Sequence, residues 1–143
     1  MPPLHLPLKE VVVVIRTGLP FLVLGCLAIS MSAAADDAVM VNQAVNAAVA
    51  SGRNISTINQ TGGSNNFAET DQLGSQNSAT ISQLLGSRNS ATISQLGNGN
   101  QSTIIQNNAV GAIAVDNQIG NNDPITIRQT GTNPPPVTIT QRR

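Results

Sequence analysis

The chain has 143 residues, a formal net charge of zero, 10% charged residues and two aromatic rings, Phe21 and Phe67. That balance excludes a basic nucleic-acid binder and an acidic tail, and it excludes a core built on large rings. What remains is rich in Asn, Gln, Ser, Thr, Ala and Gly, a composition shared by disordered chains and amide-rich β-structure; only a regular pattern separates the two.

The N-terminus reads as an export leader over residues 1–35. Lys9 and Arg16 supply positive charge, residues 19–29 form a short apolar run, and Ser32-Ala33-Ala34-Ala35 offers a small-residue cleavage site before Asp36-Asp37. The run is too short to span a bilayer comfortably. Cys26 lies inside it: Leu24-Gly25-Cys26 faintly resembles a lipoprotein cleavage site, but the apolar run continues past it, so Cys26 is expected to leave with the leader, as are His5 and Lys9. The mature chain is then expected to hold no His, Cys, Lys, Tyr or Trp. General bases, activated nucleophiles and most transition-metal ligands come from that group, so no enzyme activity, metal or cofactor is expected. Glu69 and Asp71, two apart on one strand face, read as a solvated acidic pair. Residues 36–49 read as an N-terminal export or targeting segment.

From residue 50 onward a repeat dominates. Gln60, Gln72, Gln83, Gln95, Gln106, Gln118, Gln129 and Gln141 are separated alternately by 12 and 11 residues, which defines a 23-residue unit with two similar halves. The first halves are 54–60, 77–83, 100–106 and 123–129; the second halves are 66–72, 89–95, 112–118 and 135–141. The regular form is Asn-x-Ala/Ser-x-Ile-x-Gln. Asn54, Asn66, Asn77, Asn89 and Asn100 occupy its first position, and Ile58, Ile81, Ile93 and Ile104 its fifth. Special residues at every second position are the signature of a strand with two distinct faces.

Between the strands lie short turns with Gly62, Gly74, Gly86, Gly97, Gly120 and Gly131 near a fixed offset after Gln. Each unit therefore reads as strand, turn, strand, turn. The predicted fold is all-β, a β-solenoid of stacked strand–turn–strand repeats (cross-β) with four rungs, 50–72, 73–95, 96–118 and 119–141, and a basic end at 142–143. Stacking places Ser56, Ala79, Ser102 and Ile125 in one column and Ile58, Ile81, Ile104 and Ile127 in another. Asn and Gln form columns of amides that satisfy one another, because a buried amide without a partner is costly. The outer face carries Thr57, Thr80, Thr103 and Thr126. Open edges with few guarding charges predict addition of further copies.

The spacing Ser-x5-Gln-x-Gly-x2-Asn-x-Ala-x3-Gln resembles the curlin repeat. It is carried by Gly74, Asn77 and Ser78-Ala79-Thr80-Ile81-Ser82-Gln83, again by Asn89-Ser90-Ala91-Thr92-Ile93-Ser94-Gln95, and by Gln95-Leu96-Gly97-Asn98-Gly99-Asn100 leading to Gln106, with Ser102 at the Ala position. The resemblance, to the subunits of bacterial surface amyloid fibres (curli), covers roughly residues 50 to 141. It implies a secreted structural subunit of adhesion and biofilm fibres on a Gram-negative cell. It also implies self-association, a paralogous curlin subunit as partner, and passage through a curli-type outer-membrane pore with accessory proteins. Degenerate outer rungs and the basic end resemble the minor, nucleating kind of subunit more than the major one. Departures from the pattern are extra residues at Asn66 and Leu85, loss of the Gly turn over 107–110, and the prolines at 134–136.

A rival reading is a soluble, capped β-solenoid that binds ice or another surface through its Thr column. The neighbouring outward positions, Ile55, Ser78, Gln101 and Pro124, vary and spoil a flat array. A calcium β-roll lacks its Gly-Gly-x-Gly-x-Asp pattern. The sequons at Asn54 and Asn100 fall on repeat columns and read as coincidence.

Overall fold

The computed structural model describes residues 54–143, and the strand backbones of 12–17, 29–32 and 38–44. Cys26, His5, Lys9 and most of the expected leader, with its cleavage site, lie outside the described residues. The strands run β1 Val12–Thr17, β2 Ile29–Ser32, β3 Ala38–Ala44, β4 Ile55–Thr61, β5 Phe67–Ser75, β6 Ser78–Leu84, β7 Ser90–Asn98, β8 Gln101–Val110, β9 Ile113–Asn121, β10 Pro124–Thr132 and β11 Val137–Arg142. Even-numbered strands form one sheet in the order β10-β8-β6-β4-β2, and odd-numbered strands form the other in the order β1-β3-β5-β7-β9-β11. Every pairing is parallel. The molecule is thus a two-sheeted β-solenoid, each rung contributing one strand to each sheet.

The register follows the repeat. Ala79 pairs with Ser56 and Ser102, and Ile81 with Ile58 and Ile104. Ala91 pairs with Ala68 and Ala114 in the opposite sheet. Burial alternates strictly along β6 and along β7 as far as Gln95, inward Ala, Ile and Gln against outward Ser and Thr. The core is therefore a thin layer of Ala and Ile columns between the two sheets, built from Ala68, Ala79, Ala91 and Ala114 with Ile58, Ile81, Ile93, Ile104 and Ile127. A one-residue slip would turn each column outward, so burial helps to hold the register. At the C-terminal rung Ile125, Val137 and Ile139 are only partly buried, because nothing packs beyond them.

The turns differ from expectation in three ways. Left-handed backbone recurs every 23 residues at Gly62, Leu85, Asn108 and Gly131, so in the second rung Leu85, not Gly86, takes the positive φ. Gly86 instead has a packing role: a Cβ there would meet Ala109 O at 1.9 Å. The turn over 107–110 is kept, with Asn108 at φ 52 substituting for glycine, since Asn tolerates this region better than most residues. Its cost is a register shift opposite Gln129 and Gly131, where β10 leaves strict pairing with β8.

The upstream side also departs from the reading of an uncovered edge. The backbone of β2 pairs with β4 and that of β3 with β5. In β3, Val39, Val41 and Gln43 stand in register with Ala68, Thr70 and Gln72. This is a weak half-repeat inside the expected export segment. It escaped the Gln spacing because Gln43 falls outside the alternation of 12 and 11. β1 and β2 lie within the numbers assigned to the leader. At the other end, Arg142 closes β11 rather than standing apart from it.

Candidate functional site

The most specialised feature is a set of buried amide columns along both edges of the core. Asn54, Gln60, Asn66, Gln72, Asn77, Gln83, Asn89, Gln95, Asn100, Gln106, Gln118 and Gln129 are all buried; Gln141, at the open end, is half-buried. Each Gln closes the inward-facing series of its strand, so its amide sits where the sheet meets the turn.

The Gln side chains form two one-way ladders. In one sheet Gln60 Nε2 donates to Gln83 Oε1 at 2.7 Å, Gln83 to Gln106 at 2.8 Å and Gln106 to Gln129 at 2.8 Å. In the other, Gln72 Nε2 donates to Gln95 Oε1 at 2.8 Å and Gln95 to Gln118 at 2.7 Å. The second N–H of each amide crosses the core to the carbonyl that opens the preceding strand. Gln83 reaches Phe67 O at 2.9 Å, Gln95 Ser78 O at 3.1 Å and Gln106 Ser90 O at 3.0 Å. One side chain thus ties two rungs and two sheets together, and a buried amide with all its hydrogen bonds made is stabilising where an unpaired one costs about 1–3 kcal/mol.

The Asn columns work differently from the expected amide-to-amide stacking. The backbone N–H of Asn77 donates to Asn54 Oδ1 at 3.1 Å, that of Asn100 to Asn77 Oδ1 at 3.1 Å and that of Asp123 to Asn100 Oδ1 at 3.2 Å. Each Nδ2 donates to a turn carbonyl, Asn77 to Gly97 O at 2.9 Å and Asn89 to Ala109 O at 2.8 Å. The shorter side chain stays beside its own backbone, and at the turn that backbone has groups the sheet ladder does not use.

Both columns change at the C-terminal rung. Gln118 donates to Asp123 O at 2.7 Å rather than to Gln141, and Gln141 Nε2 lies 3.3 Å from Asp123 Oδ1. Arg143 Nε is 3.2 Å from the same oxygen. Gln129 Nε2 turns to Pro135 O at 3.0 Å. Asp123 is fully buried, and its Oδ2 has no hydrogen-bond partner among the described residues. It occupies the column position from which Asn54, Asn77 and Asn100 each accept the backbone N–H one rung further on.

Reading the repeat did not reveal two polar pairs that cross the core. Ser56 Oγ and Thr70 Oγ1 are 2.7 Å apart in the first rung. In the third rung, the Ser102 hydroxyl donates to Asp116 Oδ2. Burial raises the Asp116 carboxyl above the ordinary carboxylate range, and the Ser102 hydrogen bond pulls it part of the way back. The signal was present in Asp116 standing where the repeat has Ile, but its depth needed the fold. Glu69 and Asp71 lie on the outer face of β5. Among the described residues, no group of three or more His, Cys, Asp or Glu could hold a metal.

These features define a two-sheeted β-solenoid with internal amide ladders, a structural class of protein. Residues 63–97, which span β5, β6 and most of β7, match the family model of the curlin associated repeat. No curated protein and no solved structure matches the chain.

Proposed function

We propose that the chain is a secreted structural subunit that polymerises into extracellular, curli-like amyloid fibres serving adhesion and the biofilm matrix, either as builder or as nucleator. In this reading residues 1–35 are a leader, 36–49 contribute to export, and 50–141 form the polymerising repeats. The partners are further copies, a paralogous curlin subunit and a curli-type outer-membrane pore with its accessory proteins. Removal of the leader would take β1 and β2 with it and uncover β4.

The observation that carries the reading is the one-way Gln ladder. As far as Gln118 in one sheet and Gln129 in the other, each rung donates to the next through an identical bond, so the repeat itself gives no reason to stop at four. At the last rung β10 and β11 are sheet edges, with half-buried Ile125, Val137 and Ile139 and the orphan oxygen of Asp123. An edge of this kind pairs with another chain unless it is guarded. A second copy continuing the 23-residue register would bring a backbone N–H to Asp123 and apolar columns onto the half-buried isoleucines.

The test is an amyloid-dye fluorescence time course on the purified chain, with and without residues 1–35, started from denaturant-free monomer. A sigmoidal rise that preformed seeds shorten is expected. A flat trace from a soluble, β-rich chain would sink the fibre reading. It would favour the surface-binding solenoid, to which the aligned Thr57, Thr80, Thr103 and Thr126 point.

A further inference from the structure

Asp116 is the one carboxyl group inside the apolar layer among the described residues. Its column runs Thr70, Ile93, Asp116, Ile139 through the odd-numbered sheet. It has no accessible surface, one oxygen bonded to the Ser102 hydroxyl and the other, Oδ1, without a partner among the described residues. The first rung holds the uncharged counterpart at the same place, Ser56 against Thr70. A hydroxyl pair satisfies itself there, whereas a carboxylate with a single donor carries a buried charge that nothing neutralises.

The groups facing Asp116 from the neighbouring strands are all uncharged. β7 and β11 present Ile93 and Ile139 along the column, and β8 presents Ser102. The remaining inward positions of β7, β8, β10 and β11 carry only Ala, Val, Ile and Gln. The other buried carboxyl, Asp123, sits at the turn, against Gln141 and Arg143.

We infer that closing the third rung takes up a proton on Asp116, so that folding of the solenoid, and the polymerisation proposed above on which this rests, are driven forward by acid. A protonated carboxyl can still bond Ser102 and brings no charge into the layer. The raised position of the carboxyl in the folded state agrees with this. For such a group the folded state holds more protons than the unfolded chain. The stability it contributes is therefore complete below the ordinary carboxylate range and falls as pH rises through the folded-state value. Rising pH would hold the subunit back from closing, and acid would release it.

The experiment follows fibre growth of the full chain by dye fluorescence, and β-structure by circular dichroism, at about pH 3 and about pH 7.5, on either side of the ordinary Asp value of about 3.9. Wild type is expected to assemble several-fold faster in acid. Asp116→Asn, an uncharged near-isostere, is expected to assemble equally fast at both pH values. The control Glu69→Gln/Asp71→Asn, on the outer face, should keep the wild-type profile. Wild-type kinetics independent of pH, or an Asp116→Asn chain that keeps the wild-type dependence, would overturn the inference. Should Asp116→Asn fail to fold, Asp116→Ile, which restores the residue of the repeat, decides in its place. Absence of fibres from every chain at every pH would count against the polymerisation reading alone. The pH dependence of the dichroism signal in wild type against the variant would then still decide proton uptake.

Discussion

Gln83 Nε2 lies 2.8 Å from Gln106 Oε1, 23 residues away in the chain, and 2.9 Å from Phe67 O in the opposite sheet. A single amide thus bonds the next rung along the axis and the facing strand across it. Because every such bond points the same way, loss of one amide interrupts a chain of polarised bonds rather than one contact.

Replacing Gln83 with Ala removes the acceptor of Gln60 Nε2 and the donor to both Gln106 Oε1 and Phe67 O. A buried group left unpaired costs about 1–3 kcal/mol and three groups lose a partner, so Gln83→Ala should lower stability by about 3 kcal/mol or more in a urea titration. The double change with Gln95→Ala interrupts both ladders and should slow fibre growth. Kinetics equal to wild type would refute a structural role for the ladders.

Two glycines form a matched test of inter-rung packing. A Cβ on Gly97 would lie 1.8 Å from Gly120 O, at φ 126, whereas a Cβ on Gly131 meets nothing within 4 Å. Gly97→Ala has to push two rungs apart and should abolish folding or lower the melting temperature severely. Gly131→Ala carries only the strain of left-handed backbone, about 1–2 kcal/mol. Similar losses from both would show that backbone conformation, and not the close approach of rungs, selects glycine here.

Leu85 is 66% exposed and holds φ 54. A leucine in that conformation costs roughly 1–2 kcal/mol, and Asn tolerates it far better. Leu85→Asn should therefore raise the denaturation midpoint, by a free energy of about 1 kcal/mol or less. A decrease would mean that its packing over Gly62 outweighs the strain.

Ser102→Ala removes the one hydrogen bond that stabilises the charged form of Asp116. The folded-state carboxyl then moves further above its ordinary range while the unfolded chain does not change. Stability should still be greatest in acid, and its decline should extend to higher pH than in wild type. Denaturant midpoints measured across the acid-to-neutral range read this directly. A decline ending at lower pH than in wild type would contradict the assigned role of the hydroxyl.

Arg143 pairs with Asp123 at 3.2 Å, yet its side chain is 67% exposed. The carboxyl of Asp123, however, is fully buried, so Arg143→Ala leaves a buried charge without its cation and should lower the melting temperature measurably. An unchanged melting temperature would show that the pair contributes no more than an exposed one.

Much of this fold can be read without coordinates because a repeat reports each position several times. The alternation of Asn, Ala, Ile and Gln at every second residue identifies inward faces, and the constant 23 residues between equivalent Gln side chains implies parallel stacking. Where the pattern weakens, the reading weakens too. β3 went unseen because Val39, Val41 and Gln43 match the pattern but break the spacing. Leu85 was overlooked as a turn residue because the glycine beside it drew the assignment, although that glycine is needed to clear Ala109 O.

The sequence by itself determined the class of fold, the period of the rungs, the residues that face inward and the resemblance to the curlin repeat. All of these depend on side-chain identity at fixed intervals, which a one-dimensional pattern records. Only the tertiary structure decided what each amide bonds. Gln bridges to Gln whereas Asn turns to backbone, because one methylene sets how far the amide reaches from the turn. It also decided that Asp116 and Asp123 are buried with unpaired oxygens, since burial and partnership arise from chain segments that meet only when the rungs stack.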